Sequence, residues 1–391
     1  YIIFYSQLFM RYRLMKKKDH VKQKFFSFII LGIIILLSAC TLVGPQKKSP
    51  SGSTNVSRKI GFEERKAEDL LKNSISIPYP DGKIFTPTAL SNDGIAYGEA
   101  VDQGHEDQNY LASMNLHTQE FQKIKDVEKT SNLTHVAVSY VDHDIVVFEE
   151  YDQLNQTGIY YLWKIKDKSL TTLIDRRPIG TVPVTQVARS NQKLFINYEV
   201  GDSLYQIEEF DLETGAHQTI ESENSGFPNV FKDYLYYVQI DNTALTTKIV
   251  AYSLSDGQKK VIDQTKDDQR YYVDLLTNGH NLLYLVANNK DASFTFENKN
   301  HKKIFSTSQA ETSIYRNIYL TYMGERRSEE RVKSQYYLWD LKNRIHYLYN
   351  HGPILLSDKG ILWIQFKKKD SEIPKGEIYR NENSVMRYQE W

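Results

Sequence analysis

One phrase recurs along the chain and limits what it can fold into: an aromatic-rich apolar strand, a short polar turn, and a second strand. It reads Tyr160-Tyr-Leu-Trp-Lys-Ile165, then Lys166-Asp-Lys-Ser169, then Leu170 to Ile174; Tyr336-Tyr-Leu-Trp-Asp-Leu341 with Lys342-Asn-Arg344 repeats it almost verbatim. Leu204 to Leu212 with Glu213-Thr-Gly215 and Lys248 to Leu254 with Ser255-Asp-Gly257 are further copies, and weaker ones start near Tyr110, Ser293 and Glu377. The starting points lie about 41 to 50 residues apart, a period that belongs to repeat architectures.

A second hairpin precedes each phrase. Leu90-Ser-Asn-Asp-Gly94 leads into Ile95-Ala-Tyr97, and Leu356-Ser-Asp-Lys-Gly360 into Ile361-Leu-Trp363; related turns occur at Val141 to Asp144, Arg189 to Gln192, Lys232-Asp233 and Thr277 to His280. Two hairpins make four strands per unit, with no helical pattern between units, which excludes folds of alternating strands and helices. A four-stranded twisted sheet cannot bury both faces alone, so copies must stack radially until the ring closes. The expectation is therefore an all-β chain: a β-propeller of seven four-stranded blades over residues 75–391. Six or eight blades stay open, because closure is ambiguous. Ser384 to Tyr388 reads as an outer strand of the last unit, which leaves Ile75-Ser-Ile77 as a spare strand, an added edge or part of a closure. The Ser91 to Gly94 turn resembles those of TolB-type and WD-repeat-like propellers, a resemblance that spans roughly residues 85–390. The chain departs from the WD signature, since Trp339-Asp340 falls inside a third strand and no blade ends in Trp-Asp.

Ahead of the repeat, Lys16, Lys17, Lys18, Lys22 and Lys24 lead into an apolar run from Phe25 to Leu37. That is the layout of an export signal. The run is about 13 residues, roughly 20 Å as a helix, short of the ~30 Å hydrocarbon core of a bilayer. Leu37, Ser38, Ala39 and Cys40 resemble a bacterial lipobox. The resemblance implies a diacylglycerol on Cys40, cleavage between Ala39 and Cys40, and a protein anchored by lipid to the outer side of the cell membrane. Residues 1–14 are expected to be an upstream extension before Met15, 15–39 the signal peptide, and 40–74 the lipidated cysteine, a Pro/Ser/Lys-rich tether and one short helix between Phe62 and Lys72.

The chain has a single cysteine, so with Cys40 acylated the folded part forms no disulfide and depends on its core. The 49 basic and 49 acidic residues balance to zero, which argues against nucleic acid as a partner. No His-Glu-x-x-His and no Cys-His set is present, and Asp142-His143-Asp144 falls where every unit has its first turn. No metal and no other cofactor is expected. The chain contains no Gly-x-Ser-x-Gly elbow and no helical domain to carry a triad, so no catalytic residue is assigned.

The loops between second and third strands all open on one face of a propeller. Glu106 and Asp107, then Glu149, Glu150 and Asp152, fall on them in the first two units; Arg326 and Arg327 fall there in the sixth, and Lys367, Lys368 and Lys369 in the seventh. These residues are expected to form a polar contact face, acidic on one side and basic on the other, that steers a protein or cell-envelope polymer. The alternative is a propeller that binds or hydrolyses glycans, which requires exposed aromatics at the channel mouth and a carboxylate pair.

Overall fold

The computed structural model describes residues 62–391 except 179–185, 202–203, 223, 242, 245, 266–268, 278–280, 289–292, 308–311, 316–317, 326–332, 341–342, 350–353, 369–378 and 380. Strands form seven separate sheets, six of four strands and one of five. Blades 1 to 6 occupy residues 83–126, 134–178, 186–221, 225–264, 270–307 and 312–349, each a meander whose strands pair in sequence order. Blade 7 takes Ile354–Leu356, Gly360–Phe366 and Ser384–Glu390 from the end of the chain and Ile75–Ile77 from its beginning. First strands of neighbouring blades touch around the centre and so are innermost.

Period-two alternation explains how the ring holds. In the second strand of blade 2, Ile145 and Val147 point into the junction with blade 3, while Val146 and Phe148 point into the junction with blade 1. Both faces of the sheet are covered, so the sequence there is continuously apolar rather than alternating. The same division yields seven clusters of buried side chains, one at each junction, including that between blades 7 and 1. The ring is therefore closed. Each fully buried large side chain, such as Phe148, Phe195 or Tyr237, contributes about 1.5–3 kcal/mol.

Turn chemistry marks the repeat. Between third and fourth strands an Asx side chain accepts from the backbone N–H groups two and three residues on: Asn115 Oδ1 from His117 and Thr118, Asp211 Oδ1 from Glu213 and Thr214. The residue four positions on is left-handed, with φ of 63° at Gln119 and 71° at Gly215. Between first and second strands, Ser91 Oγ accepts from Asp93 and Ile95, and Ser357 Oγ from Lys359 and Gly360. These two matching turns also bond to each other across the closure, Asp358 N donating to Asn92 Oδ1 at 2.8 Å.

The segment before the ring differs from its expectation. Glu63–Lys66, read as helical from its composition, is a strand that pairs in parallel with Ile345–Tyr349 and gives blade 6 its fifth strand. Only Ala67–Leu71 is helical, and its Ala67 and Leu71 fill the junction of blades 6 and 7. Ile75–Ile77 then pairs antiparallel with Ser384–Glu390, Ile75 opposite Tyr388 and Ile77 opposite Met386. Ser384–Glu390 is thus the third strand of blade 7, and the fourth comes from the other end of the described chain. Residues 62–77 wrap two blades as one strap. Phe62 packs edge-on to Trp339 at 5.0 Å, and the buried His346 stacks on Trp339 and meets Glu64 at 3.2 Å. Burial pushes the His346 imidazole below its ordinary pKa.

Candidate contact face

The propeller has two unlike faces. Loops between second and third strands, and those between blades, lie on one, here the loop face; the hairpin turns within each strand pair lie on the other, the turn face. On blade 2 the loop face is tied together by Asp152. Its Oδ1 accepts from Ser131 Oγ at 2.8 Å and from the N–H groups of Leu154 and Asn155 at 2.9 and 3.0 Å. Its Oδ2 accepts from Thr130 Oγ1 at 2.5 Å and Asn155 Nδ2 at 2.7 Å. Burial raises the carboxyl's pKa, but these bonds outweigh it and hold the group well below the usual carboxylate range. Gln153 N donates to Leu133 O, so the loop that opens blade 2 and the loop inside it form one unit.

Two leucines stand on that unit. Leu133 is 40% exposed and Leu154 63%, and Leu204 of blade 3, 45% exposed, is on the same face. An exposed leucine alone is ordinary. Leu133 and Leu154 differ because their backbones are fixed, Leu154 N on the buried Asp152 carboxylate and Leu133 N on Ser131 Oγ, which itself bonds Asp152, so presenting them costs little ordering entropy. Beside them, Glu150 accepts from Lys125 Nζ and from Glu128 N at 3.3 Å, and the Lys125 ammonium lies 4.7 Å from the Tyr161 ring centroid. A cleft of about 640 Å³ bounded by Glu128, Ile159, Tyr161, Thr172, Leu173 and Asp175 opens next to this group. Glu99 of blade 1 accepts from Val136 N at 2.8 Å and meets His135 Nδ1 at 3.3 Å, and that bond raises the His135 pKa.

The residues expected on this face are distributed unevenly. Asp107 is exposed in the long third strand His105–Asn115 of blade 1, which also contains Glu106. Glu149, Glu150 and Asp152, expected in a solvated loop, belong to the strand Ile145–Asp152 and are buried at 2%, 4% and 2% exposure. The correction has a physical cause: Lys125 of blade 1 pairs with Glu150, and Thr130 and Ser131 of the loop that opens blade 2 bond Asp152, so these acids knit the junction and are not free to meet a partner. Lys367 and Lys368 are exposed on blade 7, bonded to Asn381 O and Asn383 Oδ1. Arg326, Arg327 and Lys369, like Leu37, Ser38, Ala39 and Cys40, lie outside the described residues. Asp142-His143-Asp144 is a turn, as its position in the repeat suggests: Asp142 Oδ1 accepts from Asp144 and Ile145, while Arg189 bonds Asp142 Oδ2 at 2.5 Å and Asp144 Oδ2 at 3.1 Å.

Leu133 and Leu154 were not singled out by sequence reasoning. The available signal was one leucine within each of two polar stretches, Ser131-Asn-Leu-Thr134 and Asp152-Gln-Leu-Asn155.

The fold defines a seven-bladed β-propeller, and comparison with solved structures agrees. The chain is similar to an oligogalacturonate lyase in complex with manganese, at 9% identity and TM-score 0.50 over 82% of this chain and 96% of that one. It is also similar to the β-propeller domain of the Trilobed protease from Pyrococcus furiosus, which has an open velcro topology, at 10% identity and TM-score 0.50 over 73% and 90% of the two chains. TolB from Acinetobacter baumannii matches at 9% identity and TM-score 0.42 over 61% of this chain, which spans 59% of the TolB chain. At these identities the likeness is one of fold alone. No protein-family model matches the chain, and no curated protein does.

Proposed function

We propose that this protein is a binding module held at the outer side of the cell membrane by lipid on Cys40, and that its propeller docks a protein of the cell envelope on the loop face of blades 2 and 3. The observation that carries the docking site is the exposed pair Leu133 and Leu154, framed by hydrogen-bonded polar side chains and standing on loops that Asp152 fixes. Apolar anchors inside a polar rim are the composition of a protein contact. A glycan site is less well supported. The large aromatic side chains that are most exposed among the described residues, Tyr234 and Trp391, stand on the turn face, away from the loop-face mouth.

The double variant Leu133→Asp/Leu154→Asp is expected to weaken partner binding about tenfold or more while shifting the unfolding midpoint little, because both residues are exposed. Undiminished binding in a pull-down titration contradicts the site. The anchoring rests on the lipobox resemblance of Leu37 to Cys40. Metabolic labelling with a palmitate analogue is expected to mark the wild-type chain and not Cys40→Ala; equal labelling of both removes Cys40 as the acylated residue.

A further inference from the structure

The strap fixes where the chain joins the ring. Glu63–Lys66 runs parallel to the fourth strand of blade 6, and Glu63 N donates to Arg344 O at 2.9 Å, so Phe62 sits on the turn face beside the last turn of blade 6. The Arg344 guanidinium lies 5.2 Å from the Phe62 ring centroid. Phe62 and Trp339 share one buried cluster with blade 5, against which Ile304 also packs. The turn that leads to Ile304, Lys299-Asn-His-Lys-Lys303, is therefore the immediate neighbour of the chain's point of arrival.

That turn is a fixed cationic surface. Asn298 Oδ1 accepts from Asn300 N and Lys302 N, both at 3.0 Å, and Asn298 N donates to Lys302 O at 3.1 Å. Lys299, Lys302, Lys303 and Arg344 are all exposed. The turn from Lys299 to Lys303 contains no acid. Two acids meet the turn at His301, Glu297 at 3.5 Å and Asp263 at 3.1 Å; Glu297 also pairs with Arg270 at 2.5 Å and Asp263 accepts from the Tyr272 hydroxyl, which leaves Lys299, Lys302 and Lys303 outside these contacts. Elsewhere on the same face the corresponding turns contain an acid, Glu213 in blade 3, Asp256 in blade 4 and Asp167, between Lys166 and Lys168, in blade 2. A chain of zero net charge thus presents three exposed lysines and an arginine together at the corner where its N-terminal segment arrives.

We infer that the blade 5–6 corner of the turn face, formed by Lys299, Lys302, Lys303 and Arg344, rests on anionic lipid headgroups of the membrane that holds the protein. The inference builds on the anchoring proposed above. Cys40 stands about 20 residues before Phe62, a contour of at most about 75 Å, so a lipid on Cys40 keeps the turn face near a surface of headgroups. Lysines and arginines held at such a surface gain affinity several-fold each, and the gain falls away within a Debye length. The arrangement also turns the loop face, with Leu133 and Leu154, away from the membrane and toward a partner.

The test uses the lipidated full chain. Because Cys40 is the only cysteine and acylation consumes its thiol, Asn300→Cys and Gln103→Cys each carry one reactive thiol, on the turn face and the loop face respectively. Each is labelled with a fluorophore and reconstituted on vesicles that contain nitroxide-labelled lipid. On phosphatidylglycerol-rich vesicles the label at 300 is expected to be quenched about threefold more than the label at 103. The excess is expected to vanish on phosphatidylcholine vesicles and in Lys299→Glu/Lys302→Glu/Lys303→Glu, whose side chains are exposed and leave folding intact. Equal quenching of the two labels, or an excess that survives charge reversal, overturns the inference while flotation with vesicles of either composition upholds anchoring. Failure to float with phosphatidylcholine vesicles overturns the anchoring itself, and the inference with it.

Discussion

Replacing Ile77 with aspartate is expected to open the ring, at a cost of about 5 kcal/mol. Ile77 is fully buried and lies opposite Met386, in the cluster that joins blade 7 to blade 1 through Tyr79, Phe85, Leu362 and Ile364. An aspartate there loses the apolar contacts and places a carboxylate among the hydrophobic side chains of that cluster. The consequence is topological as well as energetic, because Ile75–Ile77 is the whole fourth strand of blade 7. Around it, Arg387 bonds Ser74 and Ser76, Gln389 Nε2 donates to Leu70 O at 2.8 Å, and Tyr79 N donates to Asn381 Oδ1 at 2.8 Å. Ile75 is 49% exposed in the same strand, so Ile75→Asp is the matched control and is expected to cost under about 1 kcal/mol. Hydrogen exchange checks the point directly: amides of Ser384–Glu390 are expected to lose protection in Ile77→Asp and keep it in Ile75→Asp. If Ile77→Asp leaves that strand protected, the short N-terminal strand does not close the ring.

Gly98→Ala is expected to be the next most damaging change, about 3 kcal/mol, or roughly 6 °C in Tm. Gly98 lies in the second strand of blade 1 opposite Pro87, where the register shifts between Pro87 and Ala89. A Cβ at this position would stand 2.0 Å from Thr86 O and 2.7 Å from Pro87 Cα. Both are backbone atoms, so relief requires moving the innermost strand and not merely turning a side chain. Pro87 stands where the ladder is already interrupted by the register shift, a place that tolerates a residue without an N–H. A Gly98→Ala protein that melts with the wild type contradicts this packing.

Much of the ring was legible because turn chemistry repeats at a fixed place. Asn115 and Asp211, each followed by a left-handed residue, signal the outer hairpins, and the run Ile145 to Phe148 signals a sheet covered on both sides. The closure was legible only as one of three readings of Ile75 to Ile77. Three residues, Ile75 to Ile77, carry too little pattern to reveal a partner at the far end of the chain, so Ser384 to Tyr388 was read as outermost when it is third. Glu63–Lys66 is made of helix formers, yet pairing with Ile345–Tyr349 outweighs so weak a preference. The acids of blade 2 misled for a related reason. Glu150 and Asp152 look like loop residues until Lys125 is brought to Glu150 by the preceding blade, and Thr130 and Ser131 to Asp152 by the pairing of Thr134 with Asp152, contacts that exist only in the folded chain. Leu133 and Leu154 were hidden because a lone leucine in a polar stretch acquires meaning only from what fixes it.

The account is most directly tested by photo-crosslinking in living cells, with a photoreactive residue at position 154 and, separately, at position 300. The expected result is a discrete protein adduct at 154 that disappears when Leu133→Asp is added, and lipid adducts in place of that protein at 300. The same protein crosslinked from both positions, or from 300 alone, would contradict a membrane-tethered propeller that holds its partner on the loop face.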